Sequence, residues 1–380
     1  MTVPFTLDHN RMLVDGKIQR NDSTWRKAVL WVDTGNPDLF LSPELANDLG
    51  IELPTDSLLP DHGFVEVFPP KSIRLAGMEL NLDSVTCYVV VSRYWFFTAS
   101  HCDMNLPSTI LKRYDVVLDY PERELTLAKP GEIKFNGLPV AADIRAETGI
   151  IQIEAMMEED SLSFALDNGA SYSFGSTELL DLLQETEPDL PVCTGAVGCA
   201  NIWGLVPREE SWAVVRIPKL KWGAISLTDV GMTIPPDFTP DGKGMMNWYS
   251  QKTVHPVDGF LGPNAYNAFC LGIDYRNQLI YFYQSGEPEP NDMDLVGLTL
   301  HPEADSSWVV IGVARTNGKP LVEGVKAGDK LLQIDDLKTT GATMGTVVDA
   351  LRGKPGEKRT VILERNGARI SVVAKITRII

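Results

Sequence analysis

The chain has 380 residues, more than one ordinary hydrophobic core organises, so two or three domains are implied. Its apolar content of 44% is that of a soluble globular protein, and no run approaches the ~18 apolar residues of a membrane span. The chain's net charge of −17 divides into −19 over residues 1–290 and +2 over residues 291–380, which hold 13 Lys+Arg against 11 Asp+Glu. Such an acidic surface argues against a nucleic-acid partner and attracts cationic peptides at long range.

The N-terminus, Met1-Thr2-Val3-Pro4, lacks the basic and apolar regions of a signal peptide. The expectation is either a cytoplasmic chain or a mature form whose leader has been removed, which would be periplasmic or secreted. The apolar run Ala28 to Val32 reads as a strand. It runs into Asp33-Thr34-Gly35, an Asp on a tight turn with a Gly that lets backbone crowd the carboxyl. Ser42 to Gly50 predicts a short helix, with Ser42 as N-cap, Pro43 in the first turn and Gly50 as the stop. Asp61-His62-Gly63-Phe64-Val65 is a candidate flap hairpin, and Val116 to Leu127 reads as strand. Lys129-Pro130-Gly131 punctuates the end of this first unit, residues 1–133.

The second unit, 134–285, carries Asp167-Asn168-Gly169 after the apolar pair Ala165-Leu166. Its counterpart helix is predicted over Ser176 to Leu183. A Gly-rich flap candidate lies within Cys193 to Pro218, and strands follow over Leu220 to Met232. Of the five cysteines, Cys193 and Cys199 could close that loop as a disulfide, and Cys87 and Cys102 could bridge the aromatic segment Tyr94-Trp95-Phe96-Phe97. Cys270 is then left as a buried strand thiol, and the alternative is five reduced cysteines. With no Cys-x-x-Cys pair and five scattered histidines, no metal site is indicated.

Residues 286–294, with alternating Pro and Glu, read as an extended linker to a third unit, 295–380. That unit contains Val296-Gly297-Leu298-Thr299-Leu300 and the run Gly324 to Asp335. Thr343 to Leu351 follows, with Met344, Val348 and Leu351 at helical spacing.

The first two units repeat each other. The Asp turns are 134 residues apart, and the step from Pro4 to Asp33 is 29 residues against 28 from Pro139 to Asp167. Leu106 to Tyr120 and Leu261 to Tyr275 are both steps of 14. Matching flanks on both sides are evidence of duplication. Two homologous units would each supply one Asp to a shared site, where adjacent carboxyls hold one proton between them.

On these motifs the chain resembles the aspartic peptidases, in a bacterial form with two retropepsin-like lobes and a C-terminal PDZ-like domain. The resemblance implies a mainly β, two-lobed acid-protease β-barrel fold followed by a small PDZ-like α+β domain. It implies Asp33 and Asp167 as the catalytic dyad of an endopeptidase, supported by Thr34, Gly35, Asn168, Gly169, Leu261 and Gly262. It also implies a peptide-binding groove at Gly297, Leu298, Thr299, Leu300, Met344 and Val348. No metal or organic cofactor is needed, the partners are peptide or protein substrates, and a chain holding both halves of the site implies a monomer. Asn168 stands where the family has Thr or Ser, and Pro107, in Asn105-Leu106-Pro107, stands where it has Gly. These departures set the alternative, a catalytically inactive peptide-binding relative.

Overall fold

The structure is a computed structural model describing residues 1–53, 63–90, 96–195, 208–236, 244–289 and 291–380. It is mainly β, with two barrel-like lobes built on the same plan. In lobe 1 the hydrogen-bonded strand order is Arg11–Gln19, Trp25–Asp33, Met104–Pro107, Leu39–Leu41, Cys87–Val90. In lobe 2 it is Ile151–Met157, Asp160–Leu166, Gly259–Leu261, Ser173–Gly175, Ile225–Ile234. Pairing senses also match. Each strand leading to an Asp turn runs antiparallel to the strand before it and parallel to the supporting strand. The repeat in sequence is therefore a repeat in topology.

The closing segments of the two repeats meet each other. Asp115–Asp119 pairs antiparallel with Phe269–Asp274, with Val116 opposite Ile273 and Asp119 opposite Cys270. This pairing makes one continuous sheet out of strands from both lobes and fixes their relative position. The expected strand over Val116 to Leu127 is a hairpin, Asp115–Asp119 with Glu124–Ala128, turned through Arg123 at positive φ.

Both predicted lobe helices form where their caps place them. Ser42 Oγ accepts from Leu45 N at 3.1 Å ahead of the helix Pro43–Asp48, and Gly50 ends it at φ +70°. Ser176 Oγ accepts from Leu179 N at 3.0 Å ahead of Thr177–Thr186. Each cap satisfies an amide that the first helical turn leaves without a partner.

Cys87 and Cys102 are both free, buried thiols, which corrects the expected bridge between them. Cys87 lies on the strand Cys87–Val90, and its burial among apolar residues pushes its thiol up to about 12. Cys193 is likewise a free buried thiol, and Cys199 lies outside the described residues. The same holds for Asp61 and His62 of the first flap candidate, for Tyr94 and Trp95, and for residues 196–207 of the second flap candidate. Of the first flap, the strand Phe64–Val67 is present, antiparallel to Cys87–Val90.

The C-terminal unit forms its own sheet in the order Leu298–Pro302, Trp308–Val313, Lys330–Ile334, Lys358–Arg365, Ala368–Lys375, with the helix Met344–Leu351 capped by Thr343. This unit is joined to both lobes. Its strand Arg315–Thr316 pairs with Cys193–Thr194 and extends the lobe 2 sheet. Asp8, at the tip of the first hairpin of lobe 1, accepts from Gly345 N at 2.8 Å and Thr343 Oγ1 at 2.6 Å, and so holds the N-terminal end of the helix. Gly231 in lobe 2 has no room for a side chain because Met293 lies against its backbone. The residues assigned to a groove, Gly297, Leu298, Thr299, Leu300, Met344 and Val348, are all buried. Met344 and Val348 pack in the same apolar cluster as Trp31 and Tyr172 of the lobes rather than facing out as a groove wall. The physical reason is that the helix is roofed by the lobe 1 hairpin.

Candidate active site

Asp33 ends the strand Trp25–Asp33, and Asp167 follows directly on Asp160–Leu166. Each carboxyl is held by the amide of its own turn. Gly35 N donates to Asp33 Oδ1 at 3.1 Å, and Gly169 N donates to Asp167 Oδ1 at 2.8 Å. The glycines also pack crosswise. A methyl group at Gly35 would collide with the Asp167 carboxyl, and one at Gly169 would stand 2.5 Å from Asp33 Oδ1. Only Gly allows each backbone so close to the opposite carboxyl, so the two turns bring Asp33 and Asp167 together at the interface of the lobes.

Thr34 and Asn168 tie the turns across that interface. Thr34 N donates to Asn168 Oδ1 at 2.7 Å, Thr34 Oγ1 donates to Leu166 O at 2.9 Å, and Asn168 N donates back to Thr34 Oγ1 at 3.1 Å. The Asn168 carboxamide oxygen thus does what a hydroxyl oxygen would do as acceptor. The carboxamide also reaches the buried Tyr120 hydroxyl and favours its charged form. Asn168→Thr is expected to change stability by less than ~1 kcal/mol and to keep or raise activity, since a Thr hydroxyl can both accept and donate. Thermal melts and turnover of the variant check this. A large loss of activity would show that the carboxamide has a role of its own.

Behind the turns the supporting strands differ. Leu261 O accepts from Asp167 N at 2.9 Å, and Gly262 N donates to Ser173 Oγ at 3.0 Å. A Cβ at Gly262 would lie 2.6 Å from Tyr172 O, so Gly is required there. In lobe 1, Pro107 is buried and opposes Asp33 in the parallel ladder. The strand ends at this residue and a short helix, Ser108–Leu111, begins, so an N–H at Pro107 is not needed. Ser108 bonds Asn36 O in its place, through both N and Oγ.

Three further side chains reach the pair. Arg11 is 1% exposed and its Nε donates to Gly169 O at 2.9 Å. Asn105, on the supporting strand of lobe 1, lies beside Asp33 and favours its charged form, while its carboxamide is held by Phe40 N at 2.7 Å and Asp38 O at 2.9 Å. Tyr249, on the helix Gly244–Ser250, donates its hydroxyl to Asp167 Oδ2. Its ring lies 4.8 Å from that of Phe260. The Arg11-Met12-Leu13-Val14 pattern, a cation opening an apolar strand, is a sequence signal for the first of these. Tyr249 has no such signal, because it comes from a helix distant in sequence from both turns.

The dyad is nearly sealed, with Asp33 2% and Asp167 7% exposed. Burial raises Asp33 well above the ordinary carboxylate range, and the neighbouring Asp167 charge raises it further. Asn105, the Gly35 amide and Arg11 oppose this. Asp167 is raised by burial and held back by Tyr249, the Gly169 amide, Arg11 and the Ala170 amide. A carboxyl raised in the folded state favours folding at low pH. That stability is lost as pH rises from the unfolded value through the folded one. Asp33→Asn is therefore expected to raise the melting temperature by roughly 2 °C at pH 7, with the gain vanishing below about pH 4. Calorimetry at several pH values checks this, and a gain that grows with acid would contradict it.

Among the described residues, no group of three or more His, Cys, Asp or Glu is placed to hold a metal ion, and no helix is long and apolar enough to cross a membrane. No protein-family model matches the chain, and no curated protein matches it. Among solved structures, it is similar to an aspartic proteinase from Irpex lacteus at 12% identity, covering 77% of this chain and 99% of that one, with a TM-score of 0.43. A photosystem II D1 C-terminal processing protease aligns over 21% of this chain and 22% of its own at 22% identity, with a TM-score of 0.18.

Proposed function

We propose that the chain is an aspartic endopeptidase that hydrolyses peptide bonds with Asp33 and Asp167 as a proton-sharing pair. The observation that carries this is the crosswise packing of the two Asp-x-Gly turns, which sets two buried carboxyls side by side on rigid strand ends. Such a pair holds one proton and one charge near neutral pH. The charged member takes a proton from water as the water oxygen bonds to the peptide carbonyl carbon, and the protonated member gives its proton to the carbonyl oxygen. When the tetrahedral adduct collapses, the C–N bond breaks and the leaving nitrogen takes the proton that came from water. The adduct's hydroxyl returns a proton to the other carboxyl, which restores the starting state. No metal or organic cofactor takes part.

Within this proposal the C-terminal unit braces the lobes. The strand Leu298–Pro302, expected from the sequence to help form a docking groove, has Leu298, Thr299, Leu300 and Pro302 buried, so peptide addition at that edge is not part of this proposal. A second reading, a cleft that holds extended peptide without cutting it, is favoured by one observation: the Tyr249 hydroxyl already sits on Asp167. Incubation with an unbiased peptide library from acidic to neutral pH, followed by sequencing of products, separates the two. Defined internal cleavages support the endopeptidase, and binding without products supports the silent cleft.

A further inference from the structure

The two carboxyls do not have equal surroundings. Asp167 receives three donors: Gly169 N at 2.8 Å and Ala170 N at 3.2 Å on Oδ1, and the Tyr249 hydroxyl on Oδ2. Asp33 receives one amide, Gly35 N at 3.1 Å, with Asn105 beside it but bonded to Phe40 N and Asp38 O. Hydrogen bonds donated to a carboxylate favour its charged form, and a buried site magnifies the difference because no water evens it out. Arg11 acts on both members, so it lowers the cost of the shared charge without choosing its owner. The donor that breaks the symmetry most is the phenol of Tyr249, which is itself buried and anchored between the rings of Phe260 and Trp248.

We propose that Tyr249 is a positioning residue that fixes Asp167 as the charged member of the pair and leaves the shared proton on Asp33. This rests on the endopeptidase reading and assigns its roles. Asp167 takes the proton from water, and Asp33 donates to the carbonyl oxygen. The other titratable groups facing the pair are consistent with this assignment. Tyr120 and Tyr266 lie near Asp167, and burial pushes both phenols up, so they stay neutral while the pair titrates. Tyr249 is pushed up likewise, by burial and by the charges of Asp167 and Asp33, so it remains a donor.

The test is carboxyl titration by carbon-13 NMR on the full chain with labelled aspartate, with Asp33 and Asp167 assigned through Asp33→Asn and Asp167→Asn. In the wild-type protein Asp167 should ionise at lower pH than Asp33. In Tyr249→Phe the Asp167 midpoint should rise by about one pH unit and the gap should narrow. Asp33 ionising first, or a midpoint unmoved by Tyr249→Phe, overturns the proposal. This readout needs no turnover, so it decides the role of Tyr249 even if the protein cuts no peptide. If the protein does cut, the acid limb of kcat/KM should move with the same sign in Tyr249→Phe, with KM little changed. A rise in activity with an unmoved limb would instead mark Tyr249 as a plug and overturn the assignment. The wild-type ionisation order stands as a test even if Tyr249→Phe fails to fold.

Discussion

Replacing either Asp33 or Asp167 by Ala is expected to lower peptide hydrolysis on the order of 10⁴-fold, with the fold intact. Each carboxyl is half of one acid–base pair. Removing one therefore removes the proton donor or the proton acceptor, and the remaining carboxyl, no longer beside a like charge, reverts toward ordinary titration. The double variant should be no worse than either single one, because residues that act as a unit do not add. The fold should survive, since relief of each carboxyl's burial penalty offsets much of the cost of the donors it leaves unpaired. Circular dichroism and melting of the variants establish that the loss is chemical. Substantial turnover in either single variant would show that the pair is not the machinery.

Deleting residues 291–380 is expected to unfold or aggregate the remaining lobes rather than leave a working core. The deletion removes the strand partner of Cys193–Thr194, the Met293 side chain packed on Gly231, and the helix end held by Asp8. It also uncovers Leu13, Trp31, Tyr172, Trp212 and Val214, which share one apolar cluster with Met293, Leu295, Leu298 and Ile379. Full exposure of one such side chain costs ~1.5–3 kcal/mol, so partial exposure of five uses up most of the ~5–15 kcal/mol that keeps a protein folded. Polar links break as well, among them Arg216 Nε to Ile380 O at 2.9 Å and Arg378 Nη2 to Asp229 Oδ2 at 2.7 Å. Soluble yield and a melting curve of residues 1–290 check this. A truncated protein that melts like the full chain and cuts short peptides would return the C-terminal unit to the autonomous role that its linker composition suggests.

The features legible in the sequence are those set by local chemistry. The Asp turns, the capped helices after Ser42 and Ser176, and the matching steps to Tyr120 and Tyr275 all follow from residue spacing, and the structure pairs the two closing segments directly. What was not legible depends on contacts between distant parts. Pro107 reads as a defect beside the Gly of lobe 2, yet the strand ends there and Ser108 supplies the bond. Asn168 reads as a degraded Thr, yet its oxygen keeps the cross-lobe acceptor. The Pro-Glu stretch reads as the start of a separate domain. The residues beyond it, Asp292 to Val296, are buried against the lobes, and nothing in their own composition announces the surface they meet. Tyr249 is the extreme case, a residue 82 positions from the carboxyl it bonds.

Under the proposed mechanism Asp33 and Asp167 share one proton and work only in that state. The pH dependence of kcat/KM on a short peptide cut by the full-length protein tests it most directly. A bell is predicted, its acid limb marking ionisation of the first carboxyl and its alkaline limb loss of the shared proton, with the alkaline limb lying above the ordinary carboxylate range because burial raises both groups. Activity that climbs steadily into alkaline pH, or that persists in Asp33→Asn with an unchanged profile, would contradict it.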